Sequence, residues 1–509
     1  REARRPRPAR VAAAVAVGSA LAAVFCTVQM ARGSQRHLRV GPRPSASHTS
    51  RSGYFLQLSD AHLDPWYNAS MGHACFCNVP ASKEEQASCA ATSTGNAFAQ
   101  TGCDGTRRLL LSVLDAAVAQ APPGGYDWIL ITGDYTRHKM DRHRSANRQV
   151  AVRRIMQEVV EAVRAHFPQT KVHHGLGYEP FILGNNDFTA DYNETVTDPR
   201  HGANPWFSYL DPTAAASVAA VSASAGKTPP LLAFADADWS PLDDEATFVF
   251  GGYGMRKLTD ELYMISLNTV VYSTNFQWKK ERQEDPFRQL RWFRKALEWL
   301  RKANREGGRQ AKTLITGHIP PTVDHYKFKS LWRPYFQDAY LGIVGNYSDV
   351  VAAQIFAHMH TDTFRLFPAA GGSLPPPLFI SSSISAIFGN NPSFRVWKYG
   401  GSDVLDYTVY GTEIRAGPQE ALPFHKLYSA KEAYGLNAMS DAEWRTKVSE
   451  KMTIEDAVWM QYMHRLKQGQ WNEELGSDAR SREYRHKAIC AVNNVRRADF
   501  EACLASEYA

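Results

Sequence analysis

Apolar residues in this chain fall in short blocks that end on polar, chemistry-bearing side chains. Tyr54–Ser59 enters Asp60 directly, and Tyr126–Thr132 runs into Gly133-Asp134. Phe181-Ile182-Leu183 leads to Gly184-Asn185, Leu262–Leu267 reaches Asn268, Thr313–Thr316 delivers Gly317-His318, and Ile355–Ala357 delivers His358. Runs this short, bounded by turn residues, read as buried strands. Between them the spacing predicts helices. One covers Thr106–Gln120, with Leu109, Leu110, Val113, Leu114 and Ala117 on one face and Pro122-Pro123-Gly124-Gly125 as its stop. A second covers Ala146–His166, and a third Phe287–Ala303 with Leu290, Phe293, Leu297 and Leu300 in its stripe. A short helix is read near Asp349–Gln354, and late strands at Phe379-Ile380 and Tyr407–Tyr410. Residues 211–229, mostly Ala, Ser and Thr, read as an insertion, and Pro418–Ala509 as helical and charged with little strand signal.

This alternation implies an α/β fold with β-sheet layers flanked by helices and a helical C-terminal extension. The expected organisation is a basic flank and apolar segment over 1–32, a polar stalk over 33–52, a catalytic domain over 53–417 and a helical region over 418–509 packed on it. Ligand sites gather at the carboxyl ends of strands in such sheets. Asp60, Asp134, Asn185, His318 and His358 all stand at that position.

Composition narrows the class. With 509 residues, 44% hydrophobic and 21% charged, the chain is globular rather than disordered, collagenous or polytopic. Fifty-eight basic against 51 acidic residues give +7, which favours anionic partners. No nucleic-acid-binding motif accompanies that charge, so no stable nucleic-acid partner is expected. Arg1, Arg4, Arg5, Arg7 and Arg10 precede an uncharged stretch, Val11–Ala31, closed by Arg32. Its length of about 21 residues reaches that of a membrane span. The reading is a retained signal-anchor, with a cleaved signal peptide as the alternative. The chain is then expected to be a single-pass type II membrane protein of a vacuolar, lysosomal or acidocalcisome-like lumen, or else secreted. Cysteines agree with such a compartment. Cys75, Cys77, Cys89 and Cys103 form one cluster and Cys490 and Cys503 a pair, read as disulfides, with Cys26 left in the apolar segment. Three connectivities are open in the first cluster. Asn68, Asn193 and Asn346 head glycosylation triplets.

The strand ends collect into Asp60-x-His62, Gly133-Asp134, Gly184-Asn185, Gly317-His318 and His358-x-His360. Two carboxylates, one amide oxygen and four imidazoles, with one carboxylate shared, offer four protein contacts to each of two metals. This mixed N/O set without thiolate fits zinc first, then manganese, iron or cobalt. Glycines before Asp134, Asn185 and His318 suit tight turns around crowded ions.

On these residues the chain resembles the calcineurin-like metallophosphoesterases, whose pattern is DxH, GD, GN, GH and GHxH. The resemblance includes Leu58-Ser-Asp60-Ala-His62-Leu-Asp64, Gly102-Cys103-Asp104, Ile131-Thr-Gly-Asp134-Tyr-Thr-Arg-His138, Gly184-Asn-Asn-Asp187, Gly317-His-Ile-Pro-Pro321, His358-Met-His360 and the segment from Gly389 through Arg395 to Val396. It is similar to the acid sphingomyelinase-like phosphodiesterases and, more so, to the vacuolar endopolyphosphatases. The resemblance implies a four-layer αββα fold. It implies one metal held by Asp60, His62, Asp134 and His360, and another by Asp134, Asn185, His318 and His358, with Asp134 bridging. Ala357 replaces the usual glycine before the histidine pair. Asn186 replaces a histidine often assigned to leaving-group protonation, and the GNND sequence resembles the endopolyphosphatase branch. His138 is then the expected acid or transition-state donor.

The expected function is therefore hydrolysis of phosphoanhydride bonds in inorganic polyphosphate by water activated between two metals. Arg137 and Lys139, with Arg142, Arg144, Arg148 and His143 beyond them, are expected to form a cationic strip for the polyanion, joined by Arg395. The alternatives are a sphingomyelinase-like or nucleotide phosphodiesterase and a non-catalytic, membrane-tethered phosphate-binding protein.

Overall fold

The structure, a computed structural model, describes residues 51–79, 82–142, 147–170, 182–192, 239–242, 244–277, 284–367 and 374–506. Two sheets organise them. The strands are β1 (Ser52–Leu58), β2 (Trp128–Ile131), β3 (Gly254–Lys257), β4 (Leu262–Leu267), β5 (Lys312–Gly317), β6 (Val351–Phe356), β7 (Thr363–Arg365), β8 (Leu378–Ile380), β9 (Ser393–Gly400), β10 (Asp403–Gly411) and β11 (His425–Ser429). The first sheet runs β11-β10-β9-β1-β2 and the second β3-β4-β5-β6-β8-β7. Strands β4, β5, β6 and β8 are parallel, as are β1 and β2, so their carboxyl ends share one edge.

Alternation along each strand separates two layers of core. Phe55 of β1, Met264 of β4 and Leu314 of β5 face the space between the sheets, whereas Leu56, Ile265 and Ile315 face the helices. Rings close the inter-sheet layer: Phe55 stacks on Trp128 at 4.9 Å, and Phe379 of the second sheet meets Trp397 of the first at 5.5 Å. Outside lie helices Arg107–Ala119, Arg148–His166, Gln289–Gly307 and Pro334–Asn346. The first of these starts where the Thr106 side chain accepts from the Leu109 amide and buries Leu109, Leu110, Val113, Leu114 and Ala117, the stripe read from sequence. The architecture is the expected αββα stack with a helical C-terminal extension. That extension caps the inter-sheet core, with Trp444 packed on Phe364 at 4.4 Å and on Phe379 at 5.4 Å.

Several elements depart from the sequence reading, among them the run at Ile182-Leu183, which forms no strand among the described residues. The helix read near Asp349–Gln354 is strand β6 after one turn of 3₁₀ helix at Ser348–Val350, because pairing between β5 and β8 outweighs the alanines. The eight-residue β9 lies at the centre of its sheet. The first sheet also extends past residue 417 to β11, an edge strand whose His425 and Lys426 are exposed and whose apolar content is Leu427 and Tyr428.

Disulfides join Cys75 to Cys89, Cys77 to Cys103 and Cys490 to Cys503, choosing one of the three connectivities. Cys103 adjoins Asp104, a residue of the site below. Replacing Cys77 and Cys103 together by Ser is expected to cost about 2–5 kcal/mol, read as a fall in denaturant midpoint. Asn346 is exposed and Asn68 half-buried, while Asn193 lies outside the described residues.

The expected membrane anchor requires correction. Among the described residues no helix is long and apolar enough to cross a membrane, and Val11–Ala31 lies outside them. The membrane partner and the single-pass type II placement in a vacuolar or lysosomal lumen are withdrawn with it.

Candidate metal centre

The parallel strands deliver their ligands to one edge. Asp60 and His62 follow β1, Asp134 follows β2, His318 follows β5, and His358 and His360 follow β6. The first two loops are zipped together, the Asp60 amide donating to Gly133 O at 3.1 Å and the His62 amide to Asp134 O at 3.0 Å. Asp60, His62, Asp134, His358 and His360 all have positive φ, between 41° and 72°. Non-glycine residues adopt that region at a cost of order 1–3 kcal/mol each and keep it where surrounding structure over-determines it. Gly184 is required for a different reason: a Cβ there would stand 1.9 Å from Asp134 Oδ1.

Two groups result. Asp60, His62 and His360 bring ligand atoms within 4.8 Å of one another, and so do Asp134, His318 and His358. Asp134 Oδ2 lies 3.4 Å from His62 Nε2 and 3.2 Å from His318 Nε2, so one carboxylate faces both groups. The Nδ1–H of His62 donates to Thr136 O at 3.0 Å and that of His318 to Thr132 O at 2.8 Å, which turns each Nε2 inward. Among the described residues the buried Asp60 Oδ1, Asn185 Oδ1 and His318 Nε2 have no hydrogen-bond partner, which suits atoms that ligate a cation. His62 Nε2 and His360 Nε2 face each other at 3.1 Å. These donors fit a pair of divalent ions.

Electrostatics point the same way at two of the imidazoles. Burial, then the charge of His138, pushes His62 down to about 3, and burial, then His318, does the same to His358. Both imidazoles are thereby neutral, as ligands must be. At His318 burial opposes charge, but the Asp134 carboxylate outweighs it and lifts the ring to about 9, so it carries a proton that metal binding would release. Burial alone would raise Asp60 and Asp134, but the surrounding imidazoles hold both below the ordinary carboxylate value.

Around the ligands stands a supporting layer that sequence reading left unassigned. Buried Asp187 accepts from the amides of Asp134, Tyr135, Thr136 and Gly184 at 2.8–3.1 Å, fixing the GD turn against the GN turn. Asp191 Oδ1 accepts from Asn185 Nδ2 at 2.7 Å, which aims the amide oxygen at the site. Replacing Asp191 by Ala is expected to weaken the affinity for one metal roughly 10–100-fold, measurable by chelator competition. Asp104 lies in the Gly-Cys-Asp motif, which was the available signal for it. Its Oδ1 accepts from His138 Nδ1 at 2.7 Å. Burial opposes charge on His138, but the Asp104 carboxylate more than offsets it, and His138 titrates above its ordinary value. The ring stacks on His62 at 4.0 Å between centroids.

Other expected site residues lie elsewhere or act differently. Asn186 donates from its amide to Asp134 Oδ1 at 2.9 Å and from Nδ2 to Asp134 Oδ2 at 2.8 Å. It orients the shared carboxylate and has no proton to give. Arg137 is 6% exposed and turned inward to Asp64 and Asn78, so it does not belong to a cationic strip. Arg395 is buried, ion-paired with Asp362 and set over the Tyr407 ring at 4.5 Å, and it serves the core rather than substrate. Residues 143–146 of the strip lie outside the described residues. Lys139 alone among the three expected substrate contacts lines the cleft. That cleft holds about 650 Å³ over Asp134, Asn185, His358 and His360. Phe388 and Tyr326, 45% and 46% exposed, stand at its wall.

A family model for calcineurin-like phosphoesterases matches residues 53–362, more than half of the chain and the span that contains all seven predicted ligands. The chain belongs to this family. It is a metal-dependent phosphoesterase, with a dinuclear-metal site. Among curated proteins it is 24% identical to Sphingomyelinase phosphodiesterase D of Dictyostelium discoideum, over 80% of this chain and 86% of that one. It is 25% identical to mouse Acid sphingomyelinase-like phosphodiesterase 3b, over 89% and 90%. It is 23% identical to human Cyclic GMP-AMP phosphodiesterase SMPDL3A, over 92% and 94%. These relatives are of the sphingomyelinase-like type, the alternative read from the sequence, rather than endopolyphosphatases.

Proposed function

We propose that the chain is a phosphodiesterase of organic phosphate diesters, either a sphingomyelin-type phosphocholine diester or a nucleotide-derived one. The observation that carries this reading is the His138–Asp104 pair beside the ligating imidazoles. An alkoxide leaving group needs a proton in the transition state, whereas a phosphate-chain terminus needs far less. A charged imidazolium held by a buried carboxylate serves the first case. The exposed rings of Phe388 and Tyr326 support an organic substituent, since inorganic polyphosphate offers no apolar surface to a ring.

Divalent ions, zinc first for so imidazole-rich a set, supply Lewis acidity at the phosphoryl group and lower the pKa of water. The chain's own residues do the rest. Asn186 and Asp187 hold Asp134 in its shared orientation, His138 gives its proton to the leaving oxygen, and Lys139 attracts the anionic diester. The polyphosphate reading retains two supports, Lys139 and the absence of a histidine at Asn186, and ranks second. The test is kcat/KM of the purified protein on sphingomyelin in mixed micelles, a cyclic dinucleotide, bis-p-nitrophenyl phosphate and long-chain polyphosphate. An organic diester is expected to lead polyphosphate by at least about tenfold, 1.4 kcal/mol of barrier. The reverse order would reject the proposal.

A further inference from the structure

The C-terminal region was expected only to pack against the catalytic domain. It does more at one point. After helix Asp456–Leu466 the chain turns through Lys467, and this turn is stitched to the loops of the metal centre. The Asp362 amide donates to Leu466 O at 3.0 Å, the Asn391 amide to Lys467 O at 3.2 Å, and Asn391 Nδ2 to Gln468 O at 3.0 Å. Lys467 itself is 7% exposed and lines the cleft. Its Nζ donates to Tyr326 Oη and to Phe388 O, both at 2.8 Å. No described carboxylate forms an ion pair with it. Burial, slightly offset by the more distant Glu474, pushes its ammonium down to about 7.

A lysine so deeply buried with only neutral partners is costly, and surface electrostatics do not account for it. What its two bonds hold supplies an account. Tyr326 Oη–H donates onward to Met359 O at 3.2 Å, the carbonyl between the ligands His358 and His360. Both histidines sit at positive φ, so their loop needs external bracing. Phe388, whose carbonyl takes the other bond, sets its ring edge-on to His360 at 4.7 Å and to His138 at 5.5 Å. The chain Lys467–Tyr326–Met359 and the contact Lys467–Phe388–His360 therefore converge on one ligand from two sides.

We propose that Lys467 is a positioning residue of the metal centre. Its ammonium cross-links the loop of Tyr326 to the loop of Phe388, and through them sets the His358–His360 turn and the face of His138. The inference rests on the metal-centre reading, and no substrate contact is required of Lys467.

The experiment compares the full chain with Lys467→Met, Lys467→Arg, Tyr326→Phe and the double variant Lys467→Met/Tyr326→Phe. Three quantities are read: metal affinity by chelator competition, kcat and KM on a chromogenic phosphodiester, and thermal midpoint. Lys467→Met is expected to lose about tenfold or more in affinity for one of the two metals, the range of supporting-partner loss. Its kcat should fall with KM nearly unchanged, and Lys467→Arg should recover part of both. Tyr326→Phe cuts the same chain while keeping the lysine, whose Nζ still donates to Phe388 O. It should shift metal affinity in the same direction, and the double variant should be no worse than Lys467→Met alone. If Lys467→Met fails to fold, Tyr326→Phe with unchanged metal affinity overturns the proposal. So would a rise in KM alone in Lys467→Met, which would make the lysine a substrate contact, or wild-type metal affinity with only a lowered thermal midpoint. Failure of the wild-type protein on every diester would instead reject the proposed function and leave the metal-affinity comparison standing.

Discussion

Replacing Asp134 by Ala is expected to abolish turnover on every substrate, with kcat/KM lower by roughly 10⁴-fold or more. The reason is geometric. Asp134 Oδ2 lies within 3.4 Å of one imidazole from each ligand group, so its loss removes a donor from both metals at once. Lewis acidity and the lowered pKa of water together account for several kcal/mol of barrier, and each 1.36 kcal/mol is tenfold. Asp134→Asn is the sharper variant. It keeps the shape and leaves Asn186 a carbonyl to bond, but removes the charge that attracts both ions. Direct metal analysis should show less than full occupancy in both variants, with folding preserved by circular dichroism. Full occupancy with near-normal rate would show that the carboxylate is not shared.

Replacing His138 by Gln should lower the rate on an alkoxide-leaving diester by about 10²–10⁴-fold and barely change it on a p-nitrophenyl diester, whose leaving group needs no proton. The pH profile gives an independent reading. A general acid works in its protonated form, so activity is present below the His138 pKa and lost as pH rises through it. Burial opposes it, but Asp104 raises that pKa, which shifts the falling limb upward from the ordinary histidine value. Asp104→Asn should therefore move the limb to lower pH, and His138→Gln should remove it. A limb unmoved in both variants would assign it to another group.

Much of this site was legible in the sequence because Asp60, Asp134, His318 and His358 each stand within three residues of the end of an apolar strand, and such junctions in order define an edge. The supporting residues were less legible. Asp187 and Asp191 look like ordinary loop acids, and only the folded turns show that one gathers four amides and the other holds Asn185. Arg137 and Arg395 were misread because a cationic residue beside a motif resembles a phosphate contact. Burial against Asp64 and Asp362 is a tertiary property that local pattern does not carry. Lys467 lies more than a hundred residues from Tyr326 in sequence, and nothing nearby in the chain marks it. For the fold, the amphipathic helices were plain, while β9 was obscured by its motif and β6 by its alanines. Family-level likeness over a common superfamily pattern also could not separate branches: one residue, Asn186, was made to bear the choice of substrate.

The central claim is that Asp134 is shared by two cations, one held with Asp60, His62 and His360, the other with Asn185, His318 and His358. The most direct test is anomalous diffraction from crystals of the protein grown with zinc or manganese. Two peaks about 3.5–4 Å apart, with Asp134 between them, are the result this account requires. A single peak, or two that do not share Asp134, would contradict it.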